Sequence, residues 1–212
     1  MNAISSLREL IFPVRCLGCQ SLGLEICSQC RKFWHPRIIR TYSSSRDKFP
    51  IFSSIPYSPI AGKILLAAKE NSLQLADDLI SAALLHSLRG AQSTLGIDFL
   101  VPIPSRKSVA RKRGRQFVSE LSREIGAIEN FPTLEILTHT RVVKDQSALN
   151  AQQRTANLEG ALICMRFLGG RAVLIDDLVT TGATLHEAAR ALRAKGVIVS
   201  AAVTACVAEP LR

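Results

Sequence analysis

The sequence predicts an α/β fold, a parallel sheet flanked by helices, with a small cysteine-bearing module ahead of it. Three observations carry this. Apolar runs at Leu95–Ile103, with Asp98–Val101 as its core, Ala161–Met165, Arg171–Ile175 and Val197–Val207 read as strands, with Pro102 and Pro104 ending the first. Between them, and ahead of them, lie segments with apolar residues at helical spacing. These are Ile60–Ala68, then Leu73, Ala76, Ile80, Ala83, Leu84 and Leu88 with Gly90 past the end, then Phe117, Leu121 and Ile125, and finally Leu185, Ala188, Ala189 and Leu192. Strand–helix–strand order, the third observation, implies parallel pairing through right-handed crossovers. At 212 residues the chain fits one full domain and something small beside it.

The functional reading centres on Val173–Leu185. An apolar strand end is followed by Asp176 and Asp177, then by Thr180, Thr181, Gly182, Ala183 and Thr184, then by a helix. A helix N-terminus presents N–H groups with no intrahelical partner, so a strand, tight loop and helix make an anion site. Gly182 allows close backbone approach, and the threonine hydroxyls can donate to phosphate oxygens. Carboxylates repel a phosphate and suit neutral hydroxyls or a cation beside it. A sugar phosphate offers both parts: a 5′-phosphate for the loop, and ribose hydroxyls for Asp176 and Asp177. The residues alone also fit a Rossmann-like turn with two helix-capping Asp residues; the agreement of motif and context favours the anion loop.

This stretch resembles the phosphoribosyl pyrophosphate (PRPP) loop of type I phosphoribosyltransferases, with paired acids followed by Thr-Thr-Gly-x-Thr.

Composition sets wider bounds. An apolar share of 47% supports a sizeable core, and no apolar run approaches the roughly 18–20 residues of a membrane span. Met1–Leu10 lacks a basic region followed by an apolar stretch, so no signal peptide and a cytoplasmic location are expected. A net charge of +10 favours polyanionic partners, whether nucleotide, pyrophosphate or nucleic acid.

Cys16-x-x-Cys19 and Cys27-x-x-Cys30 form two knuckles whose four thiolates fit one tetrahedral zinc. In a cytosolic protein such pairs favour metal over disulfides; a lone CxxC would leave a redox pair open, but two so close are better explained by one site. Nearby His35 is off the spacing. Cys164 and Cys206 stand in apolar surroundings and read as buried core thiols. The expected organisation is a four-cysteine module at 1–40, a Ser- and Pro-rich connector at 41–58 with a short strand at Pro50–Ile55, and the α/β domain at 59–212.

Beyond the end of the Leu95–Ile103 strand, Ser105–Arg115 holds six basic residues in eleven and no acid. A solvated charged turn would explain this. Dense like charge at a strand's carboxyl end favours an anion-binding loop instead. Thr138–Leu158 is polar and reads as a mobile surface loop.

Taken together, these features resemble the ComF family, the competence-associated phosphoribosyltransferase-like proteins of bacteria. The resemblance runs from Phe12-Pro13-x-x-Cys16-x-x-Cys19 through Tyr57, Val101-Pro102-Ile103-Pro104, Gln146, Arg154 and Asn157 to the Asp176-Asp177 loop. One departure stands at Arg113-Gly114-Arg115-Gln116-Phe117, where the family commonly has Arg-Gly-Phe-Asn-Gln.

The resemblance implies a type I phosphoribosyltransferase core with a zinc module, and PRPP with Mg²⁺ as ligands. Asp176 and Asp177 would hold the ribose, and Thr180–Thr184 the 5′-phosphate. Ile103, Pro104, Ser105 and Arg106, with Arg111 and Arg113, would face pyrophosphate. Mg²⁺ would bridge pyrophosphate and ribose oxygens. Lys144, Gln146, Arg154 and Asn157 belong to the mobile loop, from which Lys144 or Arg154 would close over the site. Three functions stay open at this point. They are transfer of a phosphoribosyl group to a nitrogen nucleophile, a PRPP-sensing protein associated with single-stranded DNA, and an adaptor whose zinc module docks a helicase-like partner. The shortage of aromatics near the basic loop, where only Phe117 is close, argues against base stacking.

Overall fold

The structure, a computed structural model, describes residues 14–43, 48–140, 158–166 and 169–208. A short helix α1 (Ser28–Arg31) carries the second cysteine knuckle. The sheet elements follow as β1 (Ile39–Tyr42) and β2 (Pro50–Pro56), then helices α2 (Pro59–Asn71) and α3 (Gln74–Gln92), then β3 (Phe99–Pro102). Helices α4 (Lys107–Arg113) and α5 (Phe117–Glu129) lead to a hairpin of β4 (Leu137–His139) and β5 (Leu162–Cys164). The chain ends its described part with β6 (Arg171–Val179), α6 (Ala183–Arg193) and β7 (Ile198–Val207).

The central sheet has five strands in the order β1-β2-β7-β6-β3. Its three inner pairings, β2–β7, β7–β6 and β6–β3, are parallel as the strand–helix order requires. Edge strand β1 runs antiparallel to β2, so the sheet is mixed. The short strand expected at Pro50–Ile55 within the Ser- and Pro-rich stretch is β2, and it is a central-sheet strand buried along most of its length. Its two buried serines explain why composition pointed to a linker. Ser53 pairs with the Thr204 hydroxyl at 2.7 Å and Ser54 with Ser87 at 2.6 Å, so both hydroxyls are satisfied inside the core.

Alternate residues of the strands feed two cores. Val173 and Ile175 of β6 face a layer with α2, α3 and α5, while Ala172 and Leu174 face α6 and the hairpin. Helix α2 begins where Ser58 accepts the Ala61 N–H at 3.1 Å and Pro59 opens the first turn. Helix α3 runs past Gly90, where Ile38 packs close against the helix, and ends later than expected. Cys164 and Cys206 are both buried, as expected. Among the described residues, no helix is long and apolar enough to cross a membrane.

Candidate active site

Strands β3 and β6 are neighbours with parallel register, so their carboxyl ends open side by side. A cavity of about 500 Å³ lies there, lined by Asp176, Asp177, Thr180 and Thr184 from one side and by Ile103–Arg106, Val109 and Arg113 from the other. This is where an open α/β sheet binds its ligands.

The acids belong to the strand itself. β6 continues through them to Val179, where the sequence placed them just beyond its end. Alternation then separates their environments: Asp177 is buried and Asp176 half-buried. The Asp177 N–H donates to Asp176 Oδ1 at 2.9 Å. The Asp177 carboxylate forms an ion pair with Lys69, from the last turn of α2. Burial pushes the Asp177 carboxyl up, but the Lys69 charge and hydrogen bond outweigh it and hold the group below its ordinary range. Asp176 goes the other way, raised well above that range first by burial and then by the charge of Asp177. Burial likewise works against the Lys69 ammonium, and Asp177 reverses it, raising its pKa.

Sequence reasoning missed Lys69. A usable signal was present: Ala61, Leu65 and Lys69 are four apart, so the lysine continues a buried stripe where a charge needs a partner.

The 180–184 loop turns on Gly182, whose φ of 74° lies in the left-handed region where a side chain is strained. Thr181 Oγ1 accepts the Ala183 N–H at 3.4 Å, and helix α6 starts at Ala183. Leu185, Ala188, Ala189 and Leu192 are all buried, the predicted stripe. Thr180 and Thr184 reach the cavity wall, while Thr181, Gly182 and Ala183 form the turn between them.

The basic segment is not a loop throughout. Lys107–Arg113 is a helix, closed by Gly114 at φ 71° with Arg111, Lys112 and Arg113 in its last turn. Those charges favour the negative end of the helix, and Gly114 takes the left-handed cap. The helix separates two arginines expected on one ligand. Arg113 lines the cavity, held by Glu70 at 2.6 Å. Arg111 points into a different hollow beside Arg115, Gln116 and Arg123, away from the acids. The family departure also acquires a role: Arg115 bonds Asp77 and Glu120, each at 2.7 Å, and lies over the Phe117 ring, tying α3 to α5. Lys144, Gln146, Arg154 and Asn157 lie outside the described residues.

The four cysteines of the two knuckles meet, with sulfurs all within 4.8 Å of one another. Cys19 and Cys27 sulfurs are 3.6 Å apart, against roughly 3.8 Å between thiolates on one tetrahedral zinc. A Cβ on Gly18 would meet Cys30 Sγ at 2.6 Å, so only glycine permits this approach. Burial raises the Cys16 thiol, yet backbone N–H groups of Cys27, Cys19 and Gly18 bring it down to about 6. Burial and the neighbouring thiols push Cys30 up to about 12. Four cysteine sulfurs at this spacing could hold one metal ion, and the set fits a structural site. His35 is exposed and outside the cluster.

With this geometry in place, family comparison is direct. Residues 94–210 match the model of the phosphoribosyl transferase domain, and the chain belongs to that family, with a type I phosphoribosyltransferase-like fold. Among curated proteins it is similar to Competence protein F of Haemophilus influenzae, 28% identical over 129 residues, covering 57% of this chain and 56% of that protein. The chain thus spans little more than half the length of that relative, and with the domain match this bears out the ComF resemblance.

Similar solved structures include adenine phosphoribosyltransferase from Leishmania donovani, 14% identical, covering 66% of this chain and 55% of that one, TM-score 0.38. The enzyme of that description from Thermoanaerobacter pseudethanolicus is 13% identical, covering 85% and 96%, TM-score 0.40. UMP synthase of Leishmania donovani is 16% identical, covering 85% and 35%, TM-score 0.41.

Proposed function

We propose that this chain binds PRPP with Mg²⁺ in the cavity between β3 and β6 and transfers its phosphoribosyl group to a nitrogen nucleophile. The observation that supports this is the convergence of three unlike groups in one hollow: a carboxylate pair, threonine hydroxyls at a helix start, and a strand-end loop beside Arg113. They match the ribose, 5′-phosphate and pyrophosphate parts of one ligand.

In the reaction the C1–O bond breaks and its electron pair leaves on pyrophosphate. The nitrogen lone pair forms the new C1–N bond, and the nitrogen's proton passes to the leaving pyrophosphate or to solvent. Asp176 and Asp177 orient the ribose hydroxyls, the 180–184 loop holds the 5′-phosphate, and Arg113 with the Ile103–Arg106 backbone faces the departing charge. The carboxylates are suited to sit beside Mg²⁺, which when bound supplies stabilisation of developing negative charge. Lys69 moderates the acid pair, keeping one carboxylate ionised in a buried place. Zinc is the ion proposed for the four cysteines, in a structural role, because four thiolates leave no open position for water.

A DNA-uptake role with single-stranded DNA or a helicase-like partner has no observation in its favour among the described residues. Arg115 is engaged by Asp77 and Glu120, and Phe117, the aromatic near the basic segment, is buried beneath it.

The test is calorimetric titration of Mg²⁺–PRPP into wild type and the double variant Asp176→Asn/Asp177→Asn, with thermal melts as a fold control. A hydrogen bond to a charged group is worth about 1.5–3 kcal/mol, so affinity should fall about tenfold or more. Free phosphate should bind as before. Equal PRPP affinity in both proteins rejects the ribose-binding role, and no binding to wild type rejects PRPP.

A further inference from the structure

Resting on the PRPP reading above, we infer that His139 is a positioning residue that turns the Pro104–Ser105 peptide so that the Ser105 N–H donates to pyrophosphate. His139 closes strand β4, outside the cavity that holds the acids. Its Nε2 lies 3.1 Å from the Pro104 carbonyl oxygen. A carbonyl only accepts, so this contact assigns the proton to Nε2. Among the described residues His139 Nδ1 is buried with no hydrogen-bond partner, and the Pro104 carbonyl is the ring's hydrogen-bond partner.

Pro104 and Ser105 line both the acid-bearing cavity and a smaller hollow of about 130 Å³ that His139 also lines. Their shared peptide is therefore the partition between the two. In a planar trans peptide the C=O and N–H point opposite ways. With the carbonyl drawn to the His139 side, the Ser105 N–H is turned to the acid side. No backbone partner for that N–H occurs among the described residues. A backbone donor facing the cavity can take water or a ligand oxygen, and an anionic oxygen makes the stronger, charge-assisted bond.

His139 is itself held. It stands opposite Leu162 in the β4–β5 hairpin. The Leu162 N–H donates to Glu187 Oε1 at 2.9 Å, and the Leu162 carbonyl accepts from Arg190 Nη2 at 2.8 Å. Glu187 is buried, a costly place for a carboxylate, and Arg190 grips it at 2.7 Å. Both residues lie on α6, whose N-terminus follows directly from the 180–184 loop. The hairpin is thus a strut running from the phosphate helix through Leu162 and His139 to the Pro104–Ser105 peptide. It sets the spacing between the two anion loops that would grip opposite ends of one ligand.

The experiment titrates Mg²⁺–pyrophosphate and, separately, ribose 5-phosphate into wild type, His139→Leu and His139→Gln. The Gln amide nitrogen can donate from nearly the place of His Nε2. Leu should weaken pyrophosphate about tenfold and leave ribose 5-phosphate unchanged, while Gln should restore most of the loss. In ¹⁵N-labelled wild type, the Ser105 amide resonance should move on addition of pyrophosphate. Undiminished pyrophosphate binding in His139→Leu overturns the inference, as does equal weakening of both ligands. So does an unmoved Ser105 amide in pyrophosphate-saturated wild type, a readout that needs no variant to fold. Wild type that binds neither ligand overturns the PRPP reading as well, whereas binding of both with Ser105 unmoved overturns this inference alone.

Discussion

Asp176 and Asp177 are adjacent in sequence, yet Lys69 closes on one of them and raises an asymmetry that fixes how the pair responds to pH. Asp177 has its folded pKa held below the ordinary value, since the Lys69 pairing outweighs the upward push of burial. It therefore contributes stability above the unfolded pKa of about 3.9, and that contribution is lost as pH falls through the folded value. Asp176 is raised by burial and by Asp177. Its contribution is full below about pH 3.9 and is lost as pH rises through its folded value, so this buried acid disfavours the unliganded fold at neutral pH relative to low pH. We expect the single variant Asp176→Asn to melt higher than wild type at pH 7, by about 2–4 °C for each kcal/mol recovered. The gain should shrink towards pH 4. Differential scanning calorimetry across that range checks it, and an unchanged or lower melting temperature at pH 7 contradicts it. The acids were legible in the sequence because they are contiguous with the threonine loop. Lys69 was not, since its meeting with Asp177 depends on how α2 lies across the sheet, which no local pattern states.

Helix α6 and strand β6 were readable as elements, because an apolar run followed by a 3.6-residue stripe has few other solutions. Helix α4 was not. Six basic residues among eleven read as a self-repelling loop, and only the Gly114 cap with three cations in the last turn makes a seven-residue helix favourable there. Treating the segment as a loop put Arg111 and Arg113 on one ligand. A helix sends residues two apart to different sides, and the two arginines line different hollows. Arg113→Ala should therefore weaken Mg²⁺–pyrophosphate about tenfold, the scale of one charge-assisted contact. Arg111→Ala should change it by less than about twofold, as for a screened surface charge. Titration of both variants in moderate salt separates the cases. Equal losses would mean that the segment acts as a diffuse positive field, and the helical placement of Arg113 would then explain nothing.

At the scale of the whole molecule, the cysteine knuckles and the α/β core share one interior. Cys16, Leu17, Ile26, Cys30 and Trp34 are buried in the same cluster as Ile64, Leu65 and Leu84 from the helices and Val203 from the sheet. Lys63 of α2 donates to the Gly18 carbonyl at 2.9 Å, so the first knuckle is bonded to the core as well as packed on it. The sequence presented the knuckles as a separate module because their spacing is local and the Ser- and Pro-rich stretch after them mimics a linker. The packing is not local, and β2 within that stretch belongs to the central sheet. Metal loss should then be felt throughout. A structural zinc contributes folding free energy directly, about 10–16 kcal/mol in isolated zinc fingers, and even about 3 kcal/mol lost here would lower the melting temperature by roughly 6–12 °C. Because one core connects the parts, the chelated protein, and likewise Cys16→Ser, should still melt in a single transition, only earlier. Metal analysis of the purified protein should give about one zinc per chain, as a tetrahedral four-thiolate site requires. Calorimetry with and without chelator then discriminates the two architectures. If the knuckles were an independent module, chelation would remove a small early transition and leave the main one where it was, and the shared interior would carry no energetic weight.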